Sequence, residues 1–435
     1  MEKDRHYAGI ARQMEGNDGQ ALQHFMSNSP WSGERVYRQI QEDIRATPEL
    51  AQGSFLILDE SADEKADIHS AGALRQYNGR FGKVDTCQVS VVLGYANWRQ
   101  APWTLWAMVD SALFVPEEWF APDFAQEYKK LGIPAERRFH TKPELGLEMI
   151  QQAQAHDLPF EAVACDDLYG RDRHFRAELA AMGIVYYADV PANTQVYLKK
   201  PQIGVPKKST PRGRPARRRQ VLHGLQSFSV VQVSRKSDTH WQRLLVRHNE
   251  RGVLEDNFTA RRVWTASADL QQVREEWLII RIEANGDHTY ILSNAPADTP
   301  LERLAPGACG RYFVERIIQD AKDENGWDEF QAQKYLGWKH HTALTACALW
   351  FIAQTKLSWA QQTARDPQLA RQLQVEVLPA LSTANVRQML KAVLPLEELS
   401  PQQAREQVVR HLVNRSRSTA SRLRHRHSKN HKVHT

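Results

Sequence analysis

Apolar residues near the start of the chain recur at helical spacing. Ala21, Leu22, Phe25 and Met26 share one face, and Val36, Ile40 and Ile44 continue it after the break Ser29-Pro30-Trp31-Ser32-Gly33. A helical arm or small domain is predicted over 1–48. Residues 53–58 (GSFLIL) and 87–93 (CQVSVVL) are short apolar runs that read as buried strands. Helical periodicity over 144–155, a strand at 160–165 (FEAVAC) and a helix over 175–181 follow, and strands alternating with helices predict an α/β core. From about 201 the pattern becomes a basic linker and then alternating segments, 241–246 and 276–282 (EWLIIRI), with a turn at Asn285-Gly286-Asp287. Beyond Pro306-Gly307 helical spacing returns over 311–322 and 341–353, and amphipathic segments run to about Leu412.

This pattern divides the chain into a helical region 1–48, a first core part 49–200, a linker and β-rich insertion 201–300, a second core part 301–360, a helical region 361–410 and a basic tail 411–435. The 435 residues, 42% hydrophobic and 25% charged, describe a folded globular chain with room for a large core. The longest uncharged stretch of the second half, 342–355, is about 14 residues, short of the ~20 needed to span a bilayer, so no membrane partner is expected. The charged start Met1-Glu2-Lys3-Asp4-Arg5-His6 leads into no apolar signal core, and a cytoplasmic protein is expected. Cys87, Cys165, Cys309 and Cys347 form no CxxC pair and read as buried small hydrophobes.

Charge changes the picture more. The net charge of +6 is uneven: residues 411–435 hold five Arg, two Lys and no acid, and 199–219 (KKPQIGVPKKSTPRGRPARRR) hold nine cations and no acid. Solvated linkers would look the same. In the second block, however, Pro211-Arg212-Gly213-Arg214-Pro215 looks like an AT-hook core, whose Arg-Gly-Arg can enter a narrow minor groove. Arg212, Gly213, Arg214, Arg217, Arg218 and Arg219 are accordingly expected to bind double-stranded DNA.

Among 51 acidic residues, spacing alone singles out none. Asp59 and Asp166 stand out because each closes an apolar strand, where an ionised carboxylate is costly unless something positive binds it. Asp167 competes with Asp166, and Glu60, Asp63 and Glu64 read as solvated turn acids. On the helix 311–322, a spacing of about 100° per residue puts Arg311, Glu315 and Lys322 on one face, away from Val314, Ile317 and Ala321. That face is equally an ordinary amphipathic surface with an Arg/Glu pair. Trp277, and His340-His341 ahead of an apolar helix, read as packing residues.

The string Asp59, Lys65, Ser70, Gly72, Arg75-Gln76-Tyr77, Gly79, Gly82-Lys83, Cys87-Gln88-Val89 resembles the DDE-superfamily transposases of bacterial insertion sequences, in the branch related to the IS-four group. Thr141-Lys142-Pro143-Glu144-Leu145, Asp166 with Tyr169-Gly170, Leu292-Ser293-Asn294-Ala295-Pro296 and Glu315 with Lys322 extend the likeness over roughly residues 20–355. The resemblance implies an RNase H-like catalytic core interrupted by a β-rich insertion, with a helical N-terminal region and a helical, basic C-terminal region. It implies Asp59, Asp166 and Glu315 as catalytic metal ligands, and Arg311 and Lys322 as phosphate contacts. It decides for Asp166 over Asp167 through the Asp-x-x-Tyr-Gly spacing. The expected cofactor is Mg²⁺, as two ions roughly 3.5–4 Å apart, with Mn²⁺ able to substitute. The expected activity is cleavage of DNA at element ends and joining to target DNA, by a homodimer or higher oligomer at the nucleoid. A non-cleaving DNA-binding descendant and a metal-dependent nuclease without strand transfer share these residues.

Overall fold

The computed structural model describes residues 19–79, 81–97, 104–206, 218–249, 252–329, 333–363, 367–372, 374 and 381–393, with 400–402, 405, 409 and 413 beyond them. Helices α1 (Gln20–Ser27) and α2 (Gly33–Arg45) precede strands β1 (Ser54–Glu64), β2 (Leu74–Asn78), β3 (Lys83–Asn97) and β4 (Leu105–Phe114). Helices α3 (Ala125–Lys130) and α4 (Lys142–Ala155) lead to β5 (Ala162–Cys165), α5 (Asp167–Gly170), α6 (Arg173–Ala181) and β6 (Tyr186–Asp189). The Thr141-Lys142-Pro143-Glu144 motif starts α4 as a capping box: the Glu144 carboxylate accepts from Thr141 N at 2.7 Å while Thr141 Oγ1 accepts from Glu144 N at 3.4 Å.

β1 lies between β3, antiparallel along its whole length, and β5, parallel to its first half. Its residues Ser54, Phe55, Leu56, Ile57 and Leu58 are all buried, as the unbroken apolar run requires of a central strand covered on both faces. Past the two-residue strands β7 (Gln195–Val196), β8 (Ile203–Gly204), β9 (Gln220–Val221) and β10 (Phe228–Ser229) comes α7 (Val230–Ser234). The β-rich segment then supplies β11 (Gln242–Asn249), β12 (Gly252–Ala266), β13 (Val273–Ile282) and β14 (His288–Ser293). β14 pairs antiparallel with β6, so the β-rich segment extends the core sheet. Among the described residues this sheet has ten strands, in the order β11-β12-β13-β14-β6-β5-β1-β3-β2, with β4 also on β3. An RNase H-like α/β core with a β-rich insertion is the result.

Arg176 on α6 and Glu276 on β13, both nearly fully buried, join core to insertion. Arg176 Nε lies 3.2 Å from Glu276 Oε1, which also accepts from the Tyr186 hydroxyl, and Thr265 donates to the second oxygen. Helices α8 (Leu301–Ala308) and α9 (Tyr312–Gln319), a π-helical turn (Asp320–Glu324) and α10 (Tyr335–Ser358) then cover the sheet, followed by α11 (Pro367–Gln372) and α12 (Thr383–Val393). His340, fully buried, lies with Nδ1 2.8 Å from the Met26 carbonyl and Nε2 2.7 Å from that of Trp31, whose ring it stacks upon, so α10 anchors the N-terminal helices. No helix among the described residues is long and apolar enough to cross a membrane.

Four expectations are corrected. β1 does not stop at Leu58: pairing with β3 runs on to Glu64 opposite Cys87, so Glu60, Asp63 and Glu64 are strand residues and Asp59 is internal. The helix expected over 311–322 ends at Gln319 and widens into the π turn, which breaks the 100° progression before Lys322. β4 and β6 are strands that the periodicity reading passed over. Cys347 is exposed, unlike the other three cysteines.

Candidate active site

The pairing registers place three aspartates in one row. Leu58 stands opposite Cys165 and Cys165 opposite Ala188, so the next residues, Asp59, Asp166 and Asp189, follow at the same level on three adjacent parallel strands. Neighbouring strands lie about 4.8 Å apart, and residues in parallel register point to the same face. Asp166 also caps α5, its carboxylate accepting from Leu168 N at 3.0 Å. Gly170 closes that turn with its α-carbon against the Asp189 carbonyl, where an added β-carbon would stand 1.8 Å from the oxygen. The Asp-x-x-Tyr-Gly motif thus brings two of the three aspartates together.

Arg311, at the start of α9, spans the row. Its Nη1 lies 3.3 Å from Asp59, its Nε 3.2 Å from Asp189 and its Nη2 2.9 Å from Glu315, one turn along the same helix. Burial pushes Asp59 up to about 6, with Arg311 opposing and Glu60 and Glu315 adding to the rise. Burial, then Asp59 and Glu60, push Asp166 up to about 7. Asp189 is likewise raised to about 7, by burial against the pull of Arg311. One guanidinium is too little positive charge for this many carboxylates.

Lys322 sits elsewhere along β1. Its Nζ donates to the Ala62 carbonyl at 3.2 Å, three residues or roughly 10 Å of strand from Asp59. It lines a small cavity of about 20 Å³ with Ser61, Asp63, Asp328 and His341, whose imidazole is lowered to about 4, chiefly by burial. Glu60, on the other face of β1 from Asp59, is held by Lys142 at 2.8 Å and by the Tyr169 hydroxyl at 3.2 Å. Trp277 is half-buried, its indole N–H on the Pro296 carbonyl at 3.0 Å. Arg212, Gly213, Arg214 and Arg217 lie outside the described residues; Arg218 and Arg219 are exposed, and Arg219 donates to the Leu270 carbonyl at 3.0 Å.

Among the described residues, no three His, Cys, Asp or Glu side chains converge at metal-ligand distance. Glu315 joins the aspartates through Arg311. The donor set nevertheless fits a hard divalent cation: it is all carboxylate oxygen, partly exposed at Asp59 (13%) and Asp189 (19%), and short of positive charge. Asp189 was missed in the sequence, although Tyr186-Tyr187-Ala188-Asp189 repeats the apolar-run-then-Asp signature of the other two strands.

The family profile described as DDE superfamily endonuclease matches residues 4–253, more than half of the chain. The chain belongs to the DDE superfamily endonucleases. The match includes Asp59, Asp166 and Asp189 and ends before Glu315. The chain is also 24% identical over 330 residues, 75% of its length and 72% of the relative's, to a probable transposase for insertion sequence element IS701 from Microchaete diplosiphon.

Proposed function

We propose that this DDE-family protein is an insertion-sequence transposase that cleaves DNA at element ends and joins them to target DNA by Mg²⁺-dependent phosphoryl transfer. The observation that carries the reading is the row of aspartates on three adjacent strands, bridged by a single arginine. Asp59, Asp166 and Glu315 would hold the metal, with two Mg²⁺ as the favoured form and Mn²⁺ as a substitute. Bound there, divalent cations would supply activation of a water or DNA 3′-hydroxyl and stabilisation of the leaving oxygen. The chain's own residues orient the substrate. Arg311 turns N–H groups toward the scissile phosphate once its carboxylate partners are otherwise engaged, and Lys322 meets the backbone further along β1.

In this reading 49–200 and 301–360 form the catalytic core. Arg212, Gly213, Arg214, Arg217, Arg218 and Arg219 of the linker and the basic tail 411–435 bind double-stranded DNA, 1–48 is a DNA-binding region or an arm, and a homodimer or higher oligomer holds two ends at the nucleoid. The test is cleavage of a plasmid carrying the element ends. Asp59→Asn, Asp166→Asn and Glu315→Gln should each lower cleavage at least 1,000-fold, roughly the size of a major transition-state contribution, while binding of end DNA persists. Full cleavage by Asp166→Asn would overturn the assignment.

A further inference from the structure

Asp189 is not among the proposed metal ligands, yet it completes the row. Its strand is fixed on both sides, by β5 and by β14, where Asp189 faces Ile291, and Gly170 packs on its carbonyl. Its carboxylate takes the Nε of Arg311, the nitrogen nearest the chain, while the two terminal nitrogens go to Asp59 and Glu315. A guanidinium whose three nitrogens are each held by a different carboxylate is not free to turn a pair of N–H groups squarely onto a phosphate. A divalent cation on Asp59 and Glu315 would take both terminal acceptors and repel the guanidinium, leaving only the Nε contact.

We propose that Asp189 is a positioning residue for Arg311: it retains the guanidinium by Nε at the edge of the carboxylate row when a divalent cation binds, so that both terminal nitrogens face a DNA phosphate. The paired terminal N–H groups form the end-on fork by which arginine can grip phosphate bidentately. Without Asp189, Arg311 falls back on Asp59 and Glu315 and competes with the cation. The inference rests on the proposed function.

The test is calorimetric titration of the full chain with Mn²⁺, without DNA, in wild type, Asp189→Asn, Arg311→Ala and the double variant, with Asp59→Asn as the site-deficient reference. Arg311→Ala should bind Mn²⁺ more tightly than wild type, since an internal competitor is gone. Asp189→Asn should weaken Mn²⁺ binding at least ten-fold when Arg311 is present and less than three-fold when it is absent. Equal factors in both backgrounds, as a direct ligand or a bare charge effect would give, overturn the proposal, and so does no change. If Asp189→Asn does not fold, Asp189→Ser carries the same cycle. A wild-type chain that takes up no more Mn²⁺ than Asp59→Asn overturns the proposed metal site itself, a result distinct from equal factors.

Discussion

A β-carbon on Gly170 would stand 1.8 Å from the carbonyl oxygen of Asp189 and 2.9 Å from its carbonyl carbon, both backbone atoms that cannot rotate away. Gly170→Ala must therefore force α5 and the end of β6 apart. Overpacking of this kind costs about 1–3 kcal/mol, and the displaced atoms belong to the residue beside Arg311. The expected outcome is a lowered thermal midpoint and, well below that midpoint, a further loss of cleavage that stability does not explain. Gly79→Ala, with nothing within 4 Å of the added carbon, is the control and should shift stability by no more than about 0.5 kcal/mol. If Gly170→Ala cleaves like the control, the tight contact does not position Asp189. The sequence made Tyr169-Gly170 visible as part of a motif, but not its reason, because the partner is a backbone carbonyl 19 residues later.

Elements were legible where burial is simple. β1 and β5 are buried on both faces, so their apolar runs sufficed. β1's continuation to Glu64 was hidden because its later residues are acidic and only partly buried, and what keeps them extended is the long partner β3. The π turn after α9 leaves no trace in side-chain periodicity, so the angular argument for Lys322 failed there while holding for Arg311 and Glu315, one turn apart. The joint between core and insertion was equally invisible, since Arg176 and Glu276 are 100 residues apart. Burial alone would raise the Glu276 carboxyl, but Arg176, Thr265 and Tyr186 outweigh it and hold the group below its ordinary value. A depressed folded value stabilises at pH above the unfolded value, about 4.3, and that stabilisation is lost as pH falls through this value toward the lower folded one. Glu276→Gln should thus cost about 3–5 kcal/mol at pH 7, where it leaves Arg176 buried without its counter-charge, and progressively less toward pH 3. Thermal midpoints of both proteins across that range check it: parallel pH profiles would show that the pair is not charged in the fold.

At the scale of the whole molecule, charge and catalysis occupy different parts of the chain. The carboxylate row lies inside the sheet, whereas 16 of the 57 Lys and Arg fall in the two acid-free blocks 199–219 and 411–435. A polyanion that neutralises such a block displaces its own condensed counterions, so each phosphate contact adds about 0.9 to the slope of log affinity against log salt. The proposed minor-groove contact of Arg212 and Arg214 is therefore measurable without structure. Replacing both by Ala should lower the slope by about one to two units, weaken binding most at low salt and reduce any preference for A·T-rich DNA. Binding isotherms on A·T-rich and G·C-rich duplexes at several salt concentrations separate the terms. A changed slope with an unchanged A·T preference would mean phosphate contact only, and an unchanged slope would make 199–219 a linker between the core and the strands that extend its sheet.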